Sequence, residues 1–236
     1  MKTIGMLGGM SWESTASYYR IINEAVKTVS GGFSSAKICL YSVDFAEIED
    51  LQRRGDWRAM ADILSAAARA IEAGGADFLI ICTNTMHKEA PAIEASIAIP
   101  LLHIADATAE ELKRNGVQRV GLLGTRFTME EDFYKARLTD RHGIDVVVPE
   151  NADMDIVHRV IFEELCLGTI SQSSRQDYLR IIDLLHRDGA EAVILGCTEI
   201  ALLIQQQHTD VPLYDTTEIH ALAAVNFAMG FSDKSL

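Results

Sequence analysis

Two short turns carry the residues best suited to chemistry. One is Gly196-Cys197-Thr198-Glu199, reached by the apolar run Ala192-Val193-Ile194-Leu195 and followed by apolar residues at helical spacing, Ile200, Leu202, Leu203 and Ile204. That pattern predicts a buried strand, a tight turn and a helix start, with a thiol at the turn. A cysteine before a helix meets unpaired backbone N–H groups and the positive end of the dipole, and both favour thiolate over thiol. The second turn is Cys82-Thr83-Asn84-Thr85, at the end of Phe78-Leu79-Ile80-Ile81. Inversion at a carbon centre needs two proton-handling groups, one on each face. A thiol suits one face, because its pKa of roughly 8.5 is easily tuned toward working pH. Thr83 is a weaker candidate for the other, since a hydroxyl is nearly as reluctant to ionise as bulk water, at about 15.7. Taken alone, Cys197 also reads as a small buried apolar residue and Thr83 as a turn residue bonding its own backbone.

An internal duplication links the two turns. Gly75-Ala76-Asp77-Phe78-Leu79-Ile80-Ile81 aligns with Gly189-Ala190-Glu191-Ala192-Val193-Ile194-Leu195, so that Thr83 falls opposite Cys197. Ile4-Gly5-Met6-Leu7-Gly8-Gly9 aligns with Val120-Gly121-Leu122-Leu123-Gly124-Thr125, and Ile99-Pro100-Leu101 with Val211-Pro212-Leu213. Three matched segments in the same order, too far apart for a solenoid, predict two similar domains. Between them short strands alternate with longer helical patterns, which predicts parallel sheets of βα units. Ser14 and Thr15 read as caps of the first helix, Asp44 to Gly55 as a loop with a short helix, Ile99 to Ile104 as the close of the first half, and Ser232 to Leu236 as a fraying end.

In such sheets ligands bind beyond the carboxyl ends of the strands. Gly9-Met10-Ser11, Thr83-Asn84-Thr85, Thr125 to Thr128 and Cys197-Thr198-Glu199 all fall there. Asn84, Thr85, Thr125, Thr128 and Thr198 offer hydroxyl and amide groups to a carboxylate, although helix capping explains the same residue types. Glu199 can hold an ammonium or favour a helix N-terminus. Arg53 and Arg54 read as a solvated pair that can also meet a carboxylate.

Composition excludes other classes. The chain has 236 residues, 48% hydrophobic and 23% charged, with a net charge of −13. That charge argues against nucleic acid as a partner. No apolar run approaches the roughly 20 residues that cross a bilayer, and Met1 to Gly8 reads as a first strand and not a leader. Four cysteines without CxxC spacing predict reduced thiols in the cytoplasm. The Gly5 to Gly9 segment lacks dinucleotide or phosphate-loop spacing, no GxSxG elbow occurs, and the histidines show no metal-binding spacing. No metal is expected.

The two turns resemble the paired signatures of the aspartate/glutamate racemase superfamily, Cys-Asn-Thr-x-His after one strand and Gly-Cys-Thr-Glu after its repeat. The resemblance covers nearly the whole chain, including Ile4 to Thr15 and Leu123-Gly124-Thr125. It departs at one place. This chain has Thr83 where the family has its first cysteine, and Cys82 one residue early, facing the other side of the strand. In this it is similar to the branch that keeps only the second cysteine. The resemblance implies racemisation of aspartate and/or glutamate without a cofactor, in a cleft between two α/β domains related by a pseudo-twofold. Cys197 and Thr83 would exchange the α-proton. The backbone of Met10 with Asn84, Thr85, Thr125, Thr128 and Thr198 would hold the α-carboxylate and ammonium, and Gln52 would lie near the distal carboxylate. It also implies a homodimer and a first domain of residues 1–104 plus 212–236 around a second of 105–211. Decarboxylation of a malonate-like acid by a single cysteine, or amino-acid binding without turnover, stand as alternatives.

Overall fold

The computed structural model describes residues 1–231, so the expected fraying of Ser232 to Leu236 lies outside the described residues. The order is β1 (Ile4–Gly8), α1 (Trp12–Ser30), β2 (Ile38–Ser42), α2 (Phe45–Arg54), α3 (Trp57–Ala73), β3 (Phe78–Ile81), α4 (Ala90–Ala95) and α5 (Ile104–Arg114). The second half follows with β4 (Arg119–Gly124), α6 (Arg126–Glu130), α7 (Asp132–Ala136), β5 (Asp145–Val147), α8 (Asn151–Glu163), α9 (Gln172–Arg187), β6 (Ala192–Gly196), α10 (Ile200–Leu203), β7 (Leu213–Asp215) and α11 (Thr216–Met229). Two compact units result. One holds Met1–Ile104 and the chain from His220 onward, the other Ala105–Ile219.

The first unit is built on the parallel order β2-β1-β3. Every residue of β1 and β3 is buried, and alternation divides them between two helix layers. Ile4, Met6, Phe78 and Ile80 pack with Tyr18 and Ile22 of α1 and with Ala221, Ala224 and Val225 of α11. Leu7, Leu79 and Ile81 pack on the other face with Met60, Leu64 and Ile71 of α3. The second unit carries the parallel order β5-β4-β6-β7. There Leu123, Val193 and Leu195 pack against Val157, Val160, Tyr178 and Ile181 of α8 and α9.

The duplication read from sequence is present in the strand register. Ile4 pairs with Phe78 in one sheet and Val120 with Ala192 in the other. The place of β7 is matched too, by a bridge. Leu79 bridges Leu101, with its N–H on the Pro100 carbonyl at 2.9 Å. Val193 pairs with Leu213, with its N–H on the Pro212 carbonyl at 2.8 Å. Residues Ile99 to Ile104 nevertheless form a single bridge and no strand. The Leu102 carbonyl accepts from the His220 ring, and the Ile104 N–H goes to the His87 ring. Side chains thus take the groups a longer ladder would use.

Three further expectations change. Asp44 to Gly55 is a full helix, because the Asp44 side chain caps it by accepting from the Ala46 N–H and Gly55 ends it at φ 71°. Ile48 and Leu51 bury its inner face. The cap of α1 is Ser11, which accepts from the Ser14 N–H, and not Ser14 or Thr15. The chain also returns to the first unit later than residue 212. β7 pairs with β6 in the second sheet, and only the helix from His220 onward rejoins the first unit.

Gly9 shows what the turn after β1 requires. Its φ is 93°, and a Cβ there would lie 2.2 Å from the Val43 carbonyl oxygen. Gly55 has a comparable φ of 71° and open space around it. We expect Gly55→Ala to cost about 1 kcal/mol, the left-handed penalty alone. Gly9→Ala should cost more than about 2 kcal/mol, since backbone and not a flexible side chain must yield. Urea denaturation of both variants tests this, and equal losses would refute it.

Candidate active site

Three chain segments of the first unit carry its sequence-predicted site residues. After β1, the Gly9 N–H donates to Thr15 Oγ1 at 2.8 Å, and that hydroxyl donates to the Ser11 carbonyl at 2.9 Å. This staple holds the Met10 turn, with Met10 5% exposed. After β3 the ladder continues for one bond, Cys82 N–H to the Leu7 carbonyl at 2.9 Å. Beyond it, side chains take over. Ser14 Oγ donates to the Cys82 carbonyl at 2.8 Å, and His87 Nδ1 bonds the Thr83 carbonyl at 2.8 Å. Asn84 and Thr85 are buried and Thr83 is half-buried. Gln52 is buried on α2. Arg53 and Arg54 are exposed and ion-paired with Asp50 at 2.6 and 2.8 Å.

Cys82 packs with Ile80, Tyr18 and Ala221, the α1/α11 side of the sheet, as strand alternation predicted. It is fully buried, and burial pushes its thiol well up from the ordinary value. Cys82 is core.

In the second unit, β4 ends at Gly124 and Thr125 caps α6. Thr125 Oγ1 and Thr128 Oγ1 lie 3.2 Å apart, with Thr128 fully buried. A Cβ on Gly124 would come within 3.0 Å of the Gly196 carbonyl, and one on Gly196 within 2.8 Å of the Leu123 carbonyl. The two turns therefore sit side by side because both strands end in glycine. Arg126 does not supply a free cation: its guanidinium bonds Asp155 at 2.7 and 3.0 Å and is paired with Glu130.

The thiol departs from expectation. Only one turn of helix, α10, follows the Gly196-Cys197-Thr198-Glu199 turn, too short for an appreciable dipole. Cys197 Sγ donates to Glu199 Oε2 at 3.0 Å. Burial, and then the negative charge of Glu199, hold the thiol well above its usual value. Cys197 rests as a thiol facing a carboxylate. Glu199, expected to hold a substrate ammonium, is the thiol's hydrogen-bond partner. Thr198 is half-buried beside them.

The structure thus brings Thr125 to Thr128, and Cys197 to Glu199. Sequence reasoning missed Ser14 and His87 as supports of the Thr83 turn. A histidine four residues after Thr83, and a serine one turn into α1, were the available signals.

A family model for Asp/Glu/hydantoin racemases matches residues 7–224. The chain belongs to that family. A Yersinia pestis protein provisionally described as an Asp/Glu racemase is 55% identical, over 97% of this chain and 100% of its own, with a TM-score of 0.92. An aspartate racemase homologue from Pyrococcus horikoshii OT3 is 35% identical over 97% and 100%, with a TM-score of 0.85. The broad-specificity amino-acid racemase RacX of Bacillus subtilis is 21% identical over 97% of this chain and 99% of RacX. Two similar α/β domains are the architecture of the Asp/Glu racemase fold. No helix of the described residues is long and apolar enough to cross a membrane.

The Cys197–Glu199 pair makes a signed prediction for this racemase-family turn. Glu199→Gln removes a negative charge, so Cys197 should ionise at lower pH. Burial remains, so its pKa should stay above the ordinary thiol value of roughly 8.5. The pH profile of Cys197 alkylation, resolved by peptide mass spectrometry, should shift down; an unmoved profile would refute the pairing.

Proposed function

We propose that the chain racemises aspartate and/or glutamate by two-base transfer of the α-proton, without a cofactor. The observation that carries this reading is the Cys197–Glu199 hydrogen bond at 3.0 Å, in the turn that the register matches to Thr83. Membership of the racemase family and the 35%-identical aspartate racemase homologue support the substrate class.

Cys197 serves one face of the α-carbon. As the substrate proton approaches sulfur, Glu199 has taken the thiol proton, so sulfur acts as thiolate only when ligand is present. Thr83 serves the other face and returns a proton from its hydroxyl while solvent replaces that proton in the same step. The Met10 backbone with Asn84, Thr85, Thr125 and Thr198 holds the α-carboxylate and ammonium, while Thr128 orients Thr125. Gln52 lies toward the distal carboxylate. A homodimer in the cytoplasm completes the reading, in keeping with four free cysteines.

Incubation with each enantiomer of aspartate and glutamate in D2O tests it, with α-deuteration followed by NMR and chirality by chromatography. Both enantiomers should racemise. Cys197→Ser should lower kcat/KM by about 10²- to 10⁴-fold, the usual worth of a positioned acid–base group. Cys82→Ala should leave turnover intact. Full activity in Cys197→Ser would end the proposal.

A further inference from the structure

Three buried histidines lie beside the Thr83 turn: His87, His103 and His220, exposed by 1%, 2% and 0%. All belong to the first unit. Their partners fix their protons. The Thr83 carbonyl can only accept, so His87 carries its hydrogen on Nδ1, and Nε2 accepts from the Ile104 N–H at 3.2 Å. His220 Nε2 faces the Leu102 carbonyl at 2.8 Å and so donates, leaving Nδ1 to accept from the Tyr18 hydroxyl at 2.8 Å. Burial pulls His220 down to about 4, and it is neutral. The His87 ring lies 4.4 Å from His103 and 5.8 Å from His220, centroid to centroid.

We propose that His87 is a positioning residue for Thr83, fixing the peptide that carries its hydroxyl. This rests on Thr83 being one of the two proton carriers. Beyond Ile81 the parallel ladder runs out, and a buried carbonyl without a partner is costly. The peptide before Thr83 is held by Ser14 through the Cys82 carbonyl, and the peptide after it by His87. His87 is held from swinging, since its far nitrogen is bonded to Ile104 and the His103 and His220 rings pack against it. A clamp on both flanking peptides leaves Thr83 only its own rotamer freedom. Proton transfer is sensitive to such placement: a shift of about 1 Å can cost about a hundredfold.

A merely structural histidine would affect both proton carriers alike, whereas a Thr83 clamp would affect one. The test measures α-deuterium uptake in D2O separately for each enantiomer. Thr83→Ala first identifies the enantiomer whose exchange needs Thr83. His87→Phe should then lower that exchange by about a hundredfold, with exchange of the other enantiomer unchanged. Should the Phe variant fail to fold, two amides decide. His87→Asn keeps a donor near the Nδ1 position and should retain Thr83-side exchange. His87→Gln keeps an acceptor near Nε2 and should lose it. Equal losses for both enantiomers, or none, with a selective loss in Thr83→Ala, overturn the inference and leave the racemase reading intact. Exchange of both enantiomers unaffected by Thr83→Ala overturns both.

Discussion

Everything in each unit depends on one short central strand whose partners on both sides run parallel to it. β1 lies between β2 and β3, and β4 between β5 and β6. All five residues of β1 are buried, and so are all of β4 beyond Arg119. Helices must then cover both faces, and each connection must cross over and begin again at the same edge. The carboxyl ends consequently collect the turns, where backbone groups outlive the ladder. What satisfies those groups is side-chain chemistry: Thr15 and Ser11 after β1, Ser14 and His87 after β3, Thr125 after β4. Polar residues at these ends are therefore a requirement of the fold before they are equipment for a substrate.

That double duty explains what the sequence disclosed and what it withheld. The duplication was legible because in both copies an apolar run precedes each turn and the central strand ends in glycine, Gly8 and Gly124. Alternation along β3 leaves Cys82 no choice of face, and it packs with Ile80 in the core. The α2 segment was hidden by its charge. Glu49, Asp50, Arg53 and Arg54 look like a solvated loop, yet they pair at helical spacing while Ile48 and Leu51 bury the other side. For His87 the residue was legible, four places after Thr83, but its role was not, because its partners, the Thr83 carbonyl and the Ile104 N–H, are backbone groups. The late return of the chain to the first unit turned on β7, three residues that pair with β6.

The electrostatics of Cys197 are a case in which magnitudes overturned a sequence rule. A thiol before a helix is lowered by the dipole by a modest amount, typically 0.3–1 kcal/mol at a surface site. Here the helix has one turn, so even that is reduced. Burial and an adjacent carboxylate both act the other way, and burial alone can move a group by several pKa units. The thiol form prevails. The same carboxylate that disfavours thiolate is also the hydrogen-bond acceptor for its proton.

The proposed two-base reaction asks more of Thr83 than of Cys197. Generating a free alkoxide near neutral pH from a group of acidity like water's spans about nine units, or about 12 kcal/mol. A turnover of about one per second allows a total barrier of only about 17 kcal/mol. An alkoxide formed before the α-proton moves would consume most of it. In the proposed reaction Thr83 therefore passes its proton to the developing carbanion while a donor replaces it, or takes one from carbon while an acceptor removes its own, in the same step. Such concerted transfer tolerates little misplacement of the hydroxyl, whereas a polarisable sulfur backed by Glu199 tolerates more. Because enantiomers are equal in free energy, both directions share one kcat/KM. The asymmetry between Thr83 and Cys197 can then appear in kcat only as a proportionate difference in KM.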